Sequence, residues 1–249
     1  MSAVAVRVSP EWLELREPAD AAARSVEFVE RLMPQLPDAP VIHDLGGGSG
    51  SMGRWLGPRL PSPQHWVVHD RDPDLLELAA AGGAETVLTD IAGLTPSDLA
   101  GADAVVASAL LDLLTEAELR TLLGACRGLP TLLALTVVGR VQLAPQDPLD
   151  ARVEAAFNAH QRRDGRLGPD AVVAAVRLLG GADCVLRPSP WRLGPGEADL
   201  IAEWLDGWIA AAYEQDPALP RDYLHRRLAQ AAAGELTVTV DHADLLVLP

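Results

Sequence analysis

Apolar residues return along this chain in two alternating rhythms. Short unbroken runs rich in Val, Leu, Ile and Thr are separated by longer segments whose apolar positions recur every three or four residues. The first rhythm predicts strands buried on both faces, and the second predicts amphipathic helices. Strands are expected at 41–44, 66–70, 86–90, 102–107 and 131–138, then around 184–186, with a long closing strand over 236–248. Ser9-Pro10-Glu11 offers an N-cap, a proline at the first helical position and an acid in the first turn, so a short helix runs to Arg16 before Pro18 breaks it. Further helices are read at 19–33, from Arg54 onward, from Pro73 behind an Asp72 cap, and at 115–127 behind the Thr115/Glu118 capping box. Segments 149–163, 169–179, 197–213 and 221–233 complete the set.

Strands alternating with helices predict an α/β fold, a doubly wound, mostly parallel seven-stranded sheet. A strand that returns after a helical excursion is expected to pair antiparallel at the sheet edge, so 236–248 is placed there. Pro34, Pro37 and Pro40 read as a linker. The chain therefore divides into an N-terminal helical cap at 1–39 and a main domain at 40–249. Helical insertions fall at about 145–168 and 196–233. The cap covers either the ligand end of the sheet or merely its edge.

Composition narrows the function. The net charge of −15 would repel phosphate over most of the surface, which argues against a nucleic-acid partner. No apolar run approaches the ~18 residues of a membrane span, and Met1 opens no signal-like segment. With only Cys126 and Cys184, a disulfide framework and cysteine-based zinc sites are excluded, and a cytoplasmic location is expected. No metal site is assigned. The chain contains no lysine, which removes Schiff-base, P-loop-lysine and Tyr-x-x-x-Lys chemistry.

The richest stretch is Val41-Ile42-His43-Asp44-Leu45-Gly46-Gly47-Gly48-Ser49-Gly50-Ser51-Met52-Gly53. A strand that ends on an acid, turns through glycines and enters a helix is how α/β folds hold a nucleotide-like cofactor. Two parses compete. Gly48-x-Gly50-x-x-Gly53 satisfies the dinucleotide fingerprint, with Asp70 where an acid would hold a ribose. Asp44-x-Gly46-x-Gly48-x-Gly50 respects the strand better, because the first parse leaves Gly46-Gly47 as unexplained extra turn.

The run Asp44 to Gly50, followed by Asp70 and Asp90 after the next two strands, resembles the class I S-adenosylmethionine-dependent methyltransferases over about residues 40–140. The resemblance implies a Rossmann-like fold with S-adenosyl-L-methionine as cofactor. It implies that Asp44 engages the methionyl amino group, directly or through water, that Gly46, Gly48 and Gly50 pass under the cofactor, and that Asp70 holds the ribose hydroxyls. Asp90 would face the adenine amine, Arg71 and Ile91 would flank the ring, and Ser108 and Ala109 would line the sulfonium end. Three carboxylates suit a cationic, hydroxyl-rich ligand and oppose a pyrophosphate.

The acceptor end is less legible. No Asn/Asp-Pro-Pro-Tyr follows the fourth strand; Ser108-Ala109-Leu110-Leu111-Asp112 stands there instead. Asp112 is a candidate base or anchor for a cationic substrate, or it caps the loop before Thr115. His160 is a second catalytic candidate. Asn158 and Gln161, three apart on the same helix, are substrate candidates, and Arg16 is a candidate partner for a carboxylate. His43 and His69 read as core histidines bonded to backbone, and Trp204 and Trp208 as core. His242 and Asp244 share a strand face and are a candidate hydrogen-bonded pair. The expected function is methyl transfer to a small-molecule acceptor. An NAD(P)-dependent oxidoreductase and a non-catalytic S-adenosylmethionine-binding module remain as alternatives, and the oligomeric state is open.

Overall fold

The structure, a computed structural model, describes residues 8–249; the first seven residues of the expected cap lie outside the described residues. Its strands are β1 (Val41–Leu45), β2 (His65–Asp70), β3 (Glu85–Leu88), β4 (Ala104–Ser108), β5 (Thr131–Ala144), β6 (Asp183–Pro188), β7 (Trp191–Leu193) and β8 (Thr237–Leu248). The helices are α1 (Pro10–Ala23), α2 (Val26–Leu32), α3 (Ser51–Leu56), α4 (Pro73–Ala81), α5 (Glu116–Ala125), α6 (Asp150–Gln161), α7 (Ala171–Leu179), α8 (Ala198–Gln215) and α9 (Asp222–Ala232).

The strands form one sheet in the order β3-β2-β1-β4-β5-β8-β6, and β7 also pairs with β8. The expected seven-strand path is present, and the three-residue β7, which sequence reading passed over, adds an eighth strand. β1 to β5 are parallel neighbours, and β8 is antiparallel to both β5 and β6. β8 is therefore antiparallel as expected but does not sit at the edge. Its run from His242 to Leu246 is buried on both faces, which an edge strand could not satisfy, whereas β6 is half exposed and takes the edge. Alternation along the strands splits the core into two layers. Ile42 and Val106 meet Phe28 and Leu32 of α2 and Met52 of α3 on one face; Leu45 and Val105 meet Leu119 and Leu122 of α5 and Ala171 of α7 on the other.

A third apolar cluster joins α6, α8 and α9 to β7 and the far halves of β5 and β8. Helix α1 packs on it through Trp12, Leu15 and Ala19. The predicted break at Pro18 does not occur: α1 continues through it to Ala23. Proline removes one i→i−4 bond, but Arg16 spans the gap by donating to both Asp20 oxygens at 3.0 and 3.2 Å. The chain turns at Arg24–Ser25 instead, where the Ser25 N–H donates to the Asp244 carboxylate at 2.8 Å. β5 likewise outruns its prediction, passing Gly139 to reach Ala144. Gly139 has φ +75°, and a Cβ there would lie 2.5 Å from the Pro169 Cβ, so the strand continues because glycine permits it. Among the described residues no helix is long and apolar enough to cross a membrane.

Candidate active site

The carboxyl ends of the parallel strands open into a cavity of about 780 Å³ between the sheet, α1 and the third apolar cluster. That volume is in the usual range for small-ligand sites. The N-terminal helix thus lies over the ligand end of the sheet, through Trp12, Leu13 and Arg16.

One half of the cavity is built by strand ends. Gly46, Gly48 and Gly50 all have positive φ, at +63°, +53° and +82°, so the chain can curl tightly after β1. Gly47, the residue left unexplained above, lies on top of Asp44: a Cβ at this position would stand 2.5 Å from Asp44 Oδ2. Asp44 is fully buried, lies beneath this turn rather than on the cavity wall, and neither oxygen has a hydrogen-bond partner in the protein. Burial pushes its carboxyl up to about 7, against the pull of the nearby Arg24 cation and with some help from Asp70.

Arg24 was not singled out from the sequence, where it reads as one more charge on a helix. It is 3% exposed and donates to the hydroxyls of Ser51 at 3.3 Å and Ser108 at 3.1 Å. Its Nε and Nη1 have no partner. A buried cation with two idle nitrogens next to a buried acid with two idle oxygens is an incomplete polar set, of the kind a polar ligand or water completes.

Asp70 is held facing the cavity by two backbone donors, Gly48 N–H and Asp72 N–H, each at 2.9 Å. Asp90 lies just beyond β3 and accepts from the Ala92 N–H at 3.0 Å. Asp90, Arg71, Ile91, Ser108 and Ala109 all line the same half, as do Gly46 and Gly48. Gly50 does not line the cavity but starts α3 in the left-handed conformation. Ala109 has φ +52°, a costly value for a residue with a side chain, and its N–H is tied to Ala134 C=O at 3.0 Å.

The other half is walled by aromatics. Four of the six tryptophans, Trp12, Trp191, Trp204 and Trp208, line it together with Phe157. Trp204 and Trp208 stack with centroids 4.9 Å apart, so the pair belongs both to the core, as expected, and to the cavity wall. Asn158 lines the wall, donating to Gly139 C=O at 2.7 Å while its Oδ1 has no partner. Gln161 lines it too. Arg16 lines it but is committed to Asp20, with its guanidinium 5.0 Å from the Trp191 ring centroid.

Asp112 is 7% exposed, lines the cavity, and has an unpartnered Oδ1. Burial raises its carboxyl to about 6, opposed by a bond to its own backbone N–H and by the Arg16 and Arg166 cations. His160 goes elsewhere: its Nε2 meets Glu214 of α8 at 3.1 Å and the residue is not on the cavity wall. The helical turn that aims Phe157, Asn158 and Gln161 inward turns His160 aside.

His242 is on the wall, with its ring 5.3 Å from that of Trp191 and an unpartnered Nδ1. Burial and the Arg16 cation depress it to about 3, against a hydrogen bond to the Val240 backbone. The expected His242–Asp244 pair does not form; the Asp244 oxygens are taken by the N–H groups of Ser25 and Leu135. His43 and His69 bond to each other at 2.9 Å rather than to backbone.

No protein-family model matches the chain, and no curated protein matches it by sequence. Solved structures share its fold. A candidate type II methyltransferase from Anaeromyxobacter dehalogenans superposes with TM-score 0.56 at 17% identity, over 90% of this chain and 96% of the other. The cyclopropane synthase MmaA2 from Mycobacterium tuberculosis gives 0.52 at 13% identity, over 96% and 94%. A candidate methyltransferase from an antibiotic biosynthesis pathway of Anabaena variabilis gives 0.52 at 12%, over 92% and 100%. The chain has the fold of the class I S-adenosylmethionine-dependent methyltransferases.

Proposed function

We propose that this protein is an S-adenosylmethionine-dependent methyltransferase that acts on a small-molecule acceptor in the cytoplasm by in-line displacement. The observation that carries the reading is the unpartnered Asp44 carboxylate under a positive-φ glycine turn, with Asp70 and Asp90 facing the cavity at the ends of the next two strands. The donor set fits S-adenosylmethionine: it is acidic where that molecule carries an ammonium, a diol and an exocyclic amine, and it would repel the pyrophosphate of a nicotinamide dinucleotide. When bound, the cofactor supplies a methyl group activated by a sulfonium.

The protein's own part is positioning. Asp70 is pre-oriented by two backbone N–H groups, so its remaining lone pairs can accept ribose hydroxyls without reorganisation. Asp90 takes the adenine end, between Ile91 and Arg71. Asp44, kept partly ionised by Arg24 beneath the glycine turn, reaches the ammonium through a bridging water. Ser108 and Ala109 border the place where the acceptor meets the methyl group, and Asp112 lies next to it. Holding nucleophile and methyl in line about 3 Å apart supplies much of the rate in such a site. In this reading α1, the part of 1–39 that overlies the ligand end, acts as a cap that closes the cavity and excludes water.

Isothermal titration calorimetry with S-adenosylhomocysteine and with NADH tests the reading. One-to-one binding of S-adenosylhomocysteine that is weakened at least tenfold in Asp70→Ala is expected, with no heat from NADH. Binding of NADH alone would replace the reading by the oxidoreductase alternative.

A further inference from the structure

We infer that the acceptor is a flat aromatic ring bearing a hydroxyl, held between the tryptophans of the cavity, and that His242 accepts a hydrogen bond from that hydroxyl. This rests on the methyltransferase reading and gives its acceptor a chemical class.

The first observation is where the aromatic residues lie. A chain with only 4% aromatic residues places Trp12, Trp191, Trp204, Trp208 and Phe157 around one cavity. Tryptophans offer large flat faces and edges suited to stacked or edge-on contact with another ring. Beside them stand Val137, Val141 and Val240, so the faces of this half are mainly apolar, with Asn158, Gln161 and His242 as the polar groups among them.

The second observation decides against a cationic acceptor, which an aromatic box could otherwise hold. The Arg16 guanidinium already lies over Trp191 at 5.0 Å and Trp12 at 5.9 Å, and one face each of Trp204 and Trp208 is taken by the other. A second cation would meet the first.

The third observation is the set of idle polar atoms on this wall. Trp208 Nε1, Asn158 Oδ1 and His242 Nδ1 are buried without partners in the protein. Three isolated polar atoms in an apolar chamber match a ring with one or two polar substituents. His242 is fixed on β8 against Trp191, and burial, together with the Arg16 cation, keeps its imidazole neutral, so the idle Nδ1 can accept a hydrogen bond. In the transfer the phenolic oxygen forms a bond to the methyl carbon as the carbon–sulfur bond of the donor breaks, and that electron pair stays on sulfur. The O–H proton passes to the Asp112 carboxylate, whose Oδ1 is unpartnered on the same cavity wall, and from there to solvent.

Calorimetry with three probes tests the chamber: 2-naphthol, decahydro-2-naphthol with the same skeleton but no aromatic ring, and choline. Expected is 2-naphthol binding about tenfold tighter than either of the others, in line with aromatic contacts worth up to ~1.5 kcal/mol, and an affinity about tenfold lower in Trp204→Leu. Equal or tighter binding of decahydro-2-naphthol or choline, or no 2-naphthol binding by a protein that binds S-adenosylhomocysteine, overturns the aromatic assignment. Failure of S-adenosylhomocysteine to bind, with 2-naphthol still bound, instead removes the cofactor reading.

Asp112→Asn is expected to lower the rate of 2-methoxynaphthalene formation by at least about a hundredfold, the usual worth of a general base. Its affinities for 2-naphthol and S-adenosylhomocysteine should stay within threefold of the parent. His242→Phe is expected to weaken 2-naphthol binding about tenfold; unchanged affinity there overturns the role of His242, and a rate within threefold of the parent in Asp112→Asn overturns the role of Asp112.

Discussion

The carboxylate of Asp244 accepts the backbone N–H of Leu135 at 2.8 Å, and Leu135 has φ +54°. A leucine in the left-handed region is strained and persists only where its surroundings enforce it. Here the enforcing group is a buried acid on β8, reaching across the register shift between β5 and β8. The same acid takes the Ser25 N–H with its second oxygen and so also sets the turn between α1 and α2. One side chain holds a cavity-lining bend and the cap above it.

Asp244→Ala leaves two buried N–H groups without acceptors and removes the restraint on Leu135. Each unsatisfied group costs about 1–3 kcal/mol, so a loss of roughly 3 kcal/mol in urea denaturation is expected. A loss below about 1 kcal/mol would show that Asp244 does not enforce the bend.

Asp44 links pH to ligand affinity. With its carboxyl at about 7, the carboxylate is the minor form at pH 6 and the major form at pH 8. If only that form receives the cofactor's ammonium, the affinity for S-adenosylhomocysteine rises about tenfold from pH 6 to pH 8. Ligand-free stability should move the opposite way. A raised folded-state value means that the folded protein holds the proton more tightly than the unfolded chain, so stability is lost as pH climbs from about 4 to about 7. Thermal melts of Asp44→Asn should therefore show a shallower decline over that window than the parent, and parallel curves would refute the assignment.

Gly47→Ala isolates the turn from its conformation. Gly47 does not have positive φ, so alanine is not excluded by the backbone; its methyl instead meets Asp44 Oδ2 at 2.5 Å and Val68 Cγ1 at 3.0 Å. The substitution displaces the carboxylate and should weaken S-adenosylhomocysteine binding more than tenfold in calorimetry. Affinity unchanged from the parent would mean that Asp44 takes no part in binding.

His160→Ala should leave S-adenosylhomocysteine affinity within twofold. The ring pairs with the largely exposed Glu214, a solvent-screened contact away from the cavity. A tenfold loss of affinity would place His160 in the site after all.

Much of the cofactor half was legible in the sequence, because it is made of local signals in a fixed order. Strand, acid, glycines and helix occupy adjacent positions from Val41 onward, and each acid is the last polar residue before a turn. Period and punctuation reveal such features without any knowledge of what lies across the sheet. The acceptor half is assembled from segments far apart in the chain. Trp12, Trp191, Trp204 and His242 meet only because β8 inserts between β5 and β6 and α1 folds back over the result.

By itself the sequence determined the alternation of strands and helices, the antiparallel sense of the last strand, the three acids and the glycine turn that follows the first of them. These follow from side-chain periodicity and glycine conformational freedom, which are properties of neighbouring residues. Only the tertiary structure decided that α1 survives Pro18, that β8 lies inside the sheet, that Arg24 is buried near Asp44, and that His242 rather than His160 faces the cavity. Each of these depends on a partner distant in sequence: Asp20 and the apolar cluster for α1, the two-sided burial of β8, Ser108 for Arg24, and Trp191 for His242. Local propensity is weak beside such contacts, and no pattern within a single segment records them.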